Sequence, residues 1–182
     1  MSNIPPGFAS KEHVKPPDGR AAAYAFACFD PSAHVGPDGT LIRMWERANI
    51  VRAALPAALD YVVPGIKITV VAVHFKVASA LIGAYREIHA AGLWHMMSPY
   101  GGGFVFRAIK GRSQLSMHSL GLAVDHDPAD NPYHVEPANT RFGSSPEGLE
   151  VVSIMESHGW FWGARFHAPN QDAMHFQFAT GC

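Results

Sequence analysis

Two stretches of the chain concentrate side chains that are costly to bury without a purpose. In SMHSLGLAVDHD, residues 116–127, His118 and Asp125 stand on either side of Gly121 and a short apolar run. Further on, DAMHFQF places Asp172 three residues before His175. If GLAVD is a strand, His118 lies in the turn before it and Asp125 near its far end, while His175 sits on another strand able to pair alongside. Two imidazoles and one carboxylate are a common zinc ligand set, and three protein ligands leave the fourth tetrahedral position open to water. A carboxylate at Asp172 could then take a proton from that water without being a ligand itself. Each residue also has a plainer reading. A lone His118 would be a hydrogen-bonded turn histidine, and only its combination with Asp125, Asp172 and His175 points to metal. Ser116 either orients a substrate or caps the turn. Gly121 and Ala123 are small because backbone and site pack closely. Trp160 and Trp162 read as core or cleft wall, and Glu156 as a helix-surface charge. His126, His134, His158 and His167 read as non-ligands, with His126 near enough to hydrogen-bond one.

The elements that must hold these residues follow from periodicity and punctuation. Residues 1–40, with PPG, PPDG and GPDG as turn signals, read as an irregular arm. Residues 41–63 carry Trp45, Ile50, Leu55 and Leu59 at helix-like intervals, predicting a helix kinked at Pro56. The β-branched run 66–73 predicts a buried strand. Val77, Leu81, Tyr85 and Ile88 share one face of a predicted helix that Gly92 stops. YGGG reads as a turn, too weak for a phosphate loop, leading to a strand FVFRAI. GLAVDHD predicts a further strand, Ser145 and Pro146 open a helix that runs to Ser157 before Gly159, and AMHFQFA alternates like a final strand. Helices first and short strands later give an α+β class with a small, mainly antiparallel sheet flanked by helices.

Composition narrows the partners. The 182 residues carry 14 Lys and Arg against 15 Asp and Glu, with no basic cluster of the density a phosphate backbone needs, which argues against nucleic acid. At 48% hydrophobic residues and a mean hydropathy near zero, the expectation is one globular domain, read as a monomer. No run approaches the roughly 20 apolar residues of a membrane span. Cys28 and Cys182 are too few for a disulfide framework and read as thiols. The first 20 residues lack the apolar segment of a Sec signal, predicting synthesis in a cytoplasm. Eleven histidines fit a metal protein.

The pattern Ser116-x-His118-x-x-Gly121-x-Ala123-x-Asp125, followed by Asp172-x-x-His175, resembles the zinc D-alanyl-D-alanine carboxypeptidase and L-alanyl-D-glutamate endopeptidase family, with its Hedgehog/DD-peptidase-like fold. Its members cleave peptidoglycan stem peptides, and several phage endolysins belong to it. HFKVASALIGAYREIHAAGL, YGGGFVFR, Asn131-Pro132 and HGWFWG extend the likeness over residues 73–178, the recognisable catalytic core. The resemblance implies zinc on His118, Asp125 and His175, Asp172 as general base, and Arg107 as the group that stabilises the oxyanion. It implies hydrolysis of stem peptides, with the L-Ala-D-Glu bond favoured by likeness to the endolysin branch, and action on the wall after phage lysis or delivery by a phage particle. A D-Ala-D-Ala carboxypeptidase is the alternative, with Arg165 as candidate captor of a terminal carboxylate. A silent, zinc-stabilised wall-binding module is the non-enzymatic one. The chain departs from the family at Ala164, at Arg165 and Phe166 where a tryptophan is usual, at His126, and at Asp172 where many relatives have glutamate.

Overall fold

The computed structural model describes residues 14–181. Cys182 and residues 1–13 of the predicted arm lie outside them. The remainder of that arm is not irregular. It forms helices α1 (Arg20–Phe26) and α2 (Pro31–His34), the latter capped by the Asp30 carboxylate on the Ser32 amide. Ala23, Ala27 and Phe29 are buried, and a backbone bond from Gly19 to Thr180 (2.7 Å) fastens the arm to the far end of the chain.

Residues 41–63 depart from the predicted kinked helix. Helix α3 covers only Arg43–Asn49, and the chain then runs extended as β1 (Ile50–Asp60), antiparallel to β2 (Lys67–His74). Trp45 is on α3, but Ile50, Leu55 and Leu59 of the same helical spacing fall on a strand, because β-branched Ile50 and Val51 favour it and β2 supplies partners for its backbone. Pro56 explains the rest. In a helix it would remove a hydrogen bond and clash with the preceding turn, whereas here it lies where the register shifts between Ala54 and Leu59 and no ladder donor is required of it.

The predicted central helix is present as α4 (Phe75–Ala90), burying Val77, Leu81, Tyr85 and Ile88, with Gly92 at φ +79° just past its end. Helix α5 (Arg141–Ser144) precedes α6 (Pro146–Ser157), where Ser145 caps the Gly148 amide as the sequence predicts. Against these helices lies a four-stranded antiparallel sheet in the order β3 (Tyr100–Gly102), β4 (Ala123–His126), β6 (His175–Gln177), β5 (Phe161–Trp162). The α+β class with a small antiparallel sheet is therefore observed. The placement of its first strand differs from expectation. YGGG supplies β3 itself, and FVFRAI forms an irregular arm that returns through an isolated bridge from Ala108 to Leu115. Close packing accounts for Gly101 and Gly103, whereas Gly102 sits in open space at φ +150°. A Cβ on Gly101 would stand 2.9 Å from that of Asp125 on the neighbouring strand.

His74 joins these parts. It is fully buried at the end of β2, its Nδ1 accepts the Lys76 amide (3.2 Å) as the cap of α4, and its Nε2–H points at the Ala27 carbonyl (3.3 Å). Burial first of all, with Lys76 nearby, lowers its pKa from the ordinary 6.5 to about 4. The unfolded chain therefore binds the extra proton between those values, and stability falls as pH drops from 6.5 toward 4, by up to about 3 kcal/mol for this one group. His74→Asn retains a capping acceptor without the titration. Urea unfolding at pH 6.5 and pH 5 should give a smaller pH-dependent loss for the variant than for the wild type, and equal losses would contradict the assignment.

Candidate active site

Two adjacent strands and one turn bring the predicted residues together. Asp125 on β4 pairs directly with His175 on β6, so both side chains rise on one face of the sheet. His118 comes from the 3-10 turn Met117–Leu120, which Ser116 caps through its Oγ on the His118 amide (3.3 Å). Gly121 ends that turn at φ +66°, and a Cβ there would sit 2.6 Å from the His74 nitrogen, so glycine is required on both counts. Ser116 is thus buried and acts on His118 as a cap.

The donor atoms converge. Asp125 Oδ1 lies 2.9 Å from His175 Nδ1 and Asp125 Oδ2 lies 3.2 Å from His118 Nε2. One ligand atom from each of the three residues falls within 4.8 Å of the others, and no second such group occurs among the described residues. His118 Nδ1–H donates to the Gly103 carbonyl (2.7 Å), which leaves Nε2 with its lone pair facing the cluster. That Nε2 is buried without a hydrogen-bond partner; it is close to the carboxylate but not aligned with it. An N, O, N donor set with an orphaned imidazole nitrogen fits a zinc ion. Burial alone would raise the Asp125 carboxyl, but the His118 and His175 imidazoles outweigh it and hold it well below the usual carboxylate range. Burial likewise opposes a charged His175, yet the Asp125 hydrogen bond raises its pKa.

Asp172 lies beside the cluster and not within it. Its backbone is held by Gly163 and His175, and its Oδ1 is buried with no hydrogen-bond partner. Burial chiefly, then the Asp125 charge, push its pKa upward against the pull of His175, His118 and Arg107. An orphaned carboxylate oxygen next to a ligand cluster has the disposition expected of a proton acceptor. Arg107 stands on the irregular arm opposite, exposed, with its backbone clamped by Ser119, whose Oγ accepts from the Arg107 amide (2.9 Å) and donates to its carbonyl (2.7 Å). Its guanidinium is close enough to act electrostatically on Asp172.

The other singled-out residues sort themselves. Trp160 and Trp162 are core. His126 is buried against Tyr85 (2.7 Å) and the Met97 carbonyl (2.7 Å) and bonds no ligand side chain. His158 pairs with Glu87 and His134 with the Pro169 carbonyl. Glu156 is not a free surface charge: Arg165 grips it through two hydrogen bonds, of 2.6 and 2.8 Å. That engagement also occupies the guanidinium suggested for a substrate carboxylate. Sequence reasoning missed Gln177, whose amide meets His175, although its place two residues along the same strand puts it on the same face. It also missed the Gly103 carbonyl, and no side-chain pattern could have flagged a backbone group.

Residues 110–178 match the family described as D-alanyl-D-alanine carboxypeptidase. This segment is similar to that peptidase family. The D-alanyl-D-alanine carboxypeptidase match covers less than half of the chain but spans His118, Asp125, Asp172 and His175. It is shorter than the likeness read from the sequence, which began at residue 73, so α4, β3 and Arg107 lie outside it. No curated protein matches the chain. No helix among the described residues is long and apolar enough to cross a membrane.

Proposed function

We propose that the protein is a zinc-dependent peptidase that hydrolyses peptidoglycan stem peptides, as an endolysin-like L-alanyl-D-glutamate endopeptidase. The observation that carries the reading is the buried, unpartnered Oδ1 of Asp172 beside a three-residue donor set. A zinc held only for structure would be closed by a fourth ligand and would need no spare carboxylate, which argues against a silent binding module. His118 through Nε2, Asp125, and His175 through Nδ1 would hold the ion. Bound there, zinc supplies a Lewis acid and a water of pKa about 7. Asp172 accepts the proton of the attacking water and passes it to the departing amine nitrogen, serving as base and then acid. Arg107 directs its guanidinium at the carbonyl oxygen as charge develops there. Ser116 contributes through the turn it caps, keeping His118 in place.

The description of the matched family favours a second reading, cleavage of D-Ala-D-Ala. A carboxypeptidase needs a cation for the terminal carboxylate, and Arg165, the residue suggested for it, is already paired with Glu156. Defined muropeptides decide between the bonds. Incubation of the zinc-loaded protein with an intact stem should release a peptide beginning at D-Glu. Release of free D-alanine with the L-Ala-D-Glu bond intact would overturn the endopeptidase reading.

A further inference from the structure

A histidine can hold a metal through either ring nitrogen, and which one is free depends on where the other's proton goes. In His175 the two nitrogens face different partners. Nδ1 lies 2.9 Å from Asp125 Oδ1, inside the donor cluster, and Nε2 lies 3.2 Å from Gln177 Oε1 behind it. The Gln177 amide cannot be turned end for end without loss, because its Nε2 donates to the Ala179 carbonyl (3.1 Å). Its Oε1 is therefore the acceptor that His175 meets. Gln177 is 3% exposed, so no water competes freely for that bond.

We propose that Gln177 is a positioning residue that draws the His175 ring proton to Nε2 and so frees Nδ1 for the metal. The inference rests on the zinc reading above. Without the Gln177 acceptor, the proton is best placed on Nδ1, between the ring and Asp125. The two ligands then close on each other as a hydrogen-bonded pair, and a metal must first break that bond. Gln177 removes this competitor by offering the proton a buried partner on the opposite side of the ring. The Gly103 carbonyl does the same for His118, where Nδ1 carries the proton and Nε2 is free. The two imidazoles thus present opposite nitrogens, each selected by an acceptor outside the cluster. A side-chain amide, unlike a carbonyl, can be replaced.

The test compares Gln177→Leu with Gln177→Glu, which keeps an oxygen acceptor, by competing a chromophoric chelator for zinc. Gln177→Leu should bind zinc about 10- to 100-fold more weakly, the usual consequence of losing a partner that orients a metal-bound histidine, and Gln177→Glu should recover most of that loss. Zinc affinity unchanged in Gln177→Leu, while His175→Ala loses the metal, overturns this inference and leaves the zinc reading standing. Retention of zinc by His175→Ala overturns the zinc reading itself. If Gln177→Leu does not fold, nitrogen-15 NMR of the zinc-loaded wild type still decides. The remaining ring proton of His175 should be on Nε2 and protected from exchange, and a proton on Nδ1 overturns the proposal.

Discussion

Asp172→Asn should bind zinc as the wild type does and lose about 10²- to 10⁴-fold in kcat, the range expected when a positioned general base is removed. The amide is nearly the same size and shape as the carboxylate but cannot take a proton from water. Folding should survive the change, because burial already disfavours the charged form of Asp172 and its Oδ1 makes no hydrogen bond to be lost. The backbone bonds from Asp172 to Gly163 and from His175 to Asp172 do not involve the side chain. Steady-state kinetics on a stem peptide, with zinc measured on the same preparation, separates the roles. Loss of zinc together with activity would make Asp172 a ligand, contrary to its place outside the donor group.

The second large effect is expected from His175→Ala. The variant keeps His118 and Asp125, and two ligands hold zinc poorly at neutral pH. The wild type should carry about one zinc per chain, as a site with three protein ligands would, and the variant a small fraction of that. Thermal unfolding provides a second view. A ligand present at 100 times its Kd stabilises the folded state by about 2.7 kcal/mol, so added zinc should raise the wild-type midpoint and leave that of His175→Ala nearly unmoved. An equal zinc-dependent rise in both would remove His175 from the ligand set.

The site is far more legible in the sequence than the frame around it. His118, Asp125 and His175 group together on sequence grounds because a turn, a strand and a partner strand follow from Gly121, the LAV run and the alternation of AMHFQF. The residue types then restrict the chemistry. Residues 50–60 mislead because apolar spacing in a short window fits a helix and a ribbon strand alike. What decides between them is pairing with β2, a non-local contact that leaves no local mark. The exchange of roles between YGGG and FVFRAI has the same origin: glycine usually signals a turn, but at Gly101 it answers the approach of Asp125 across the sheet. Arg165 reads as free because Glu156, its partner, lies on α6 and no pattern links the two segments. Gln177 has a readable signal in its two-residue offset from His175. Its meaning emerges only with the direction of its amide, which the Ala179 carbonyl sets.

The most direct test of the central claim is mass spectrometry of purified peptidoglycan sacculi after digestion with the zinc-loaded protein, alongside the chelated protein and Asp172→Asn. New amino-terminal ends in the stem peptides should appear with the zinc-loaded wild type and be nearly absent from both controls. Stem peptides left intact by the zinc-loaded wild type, or cleaved equally well by the chelated protein, would contradict the account.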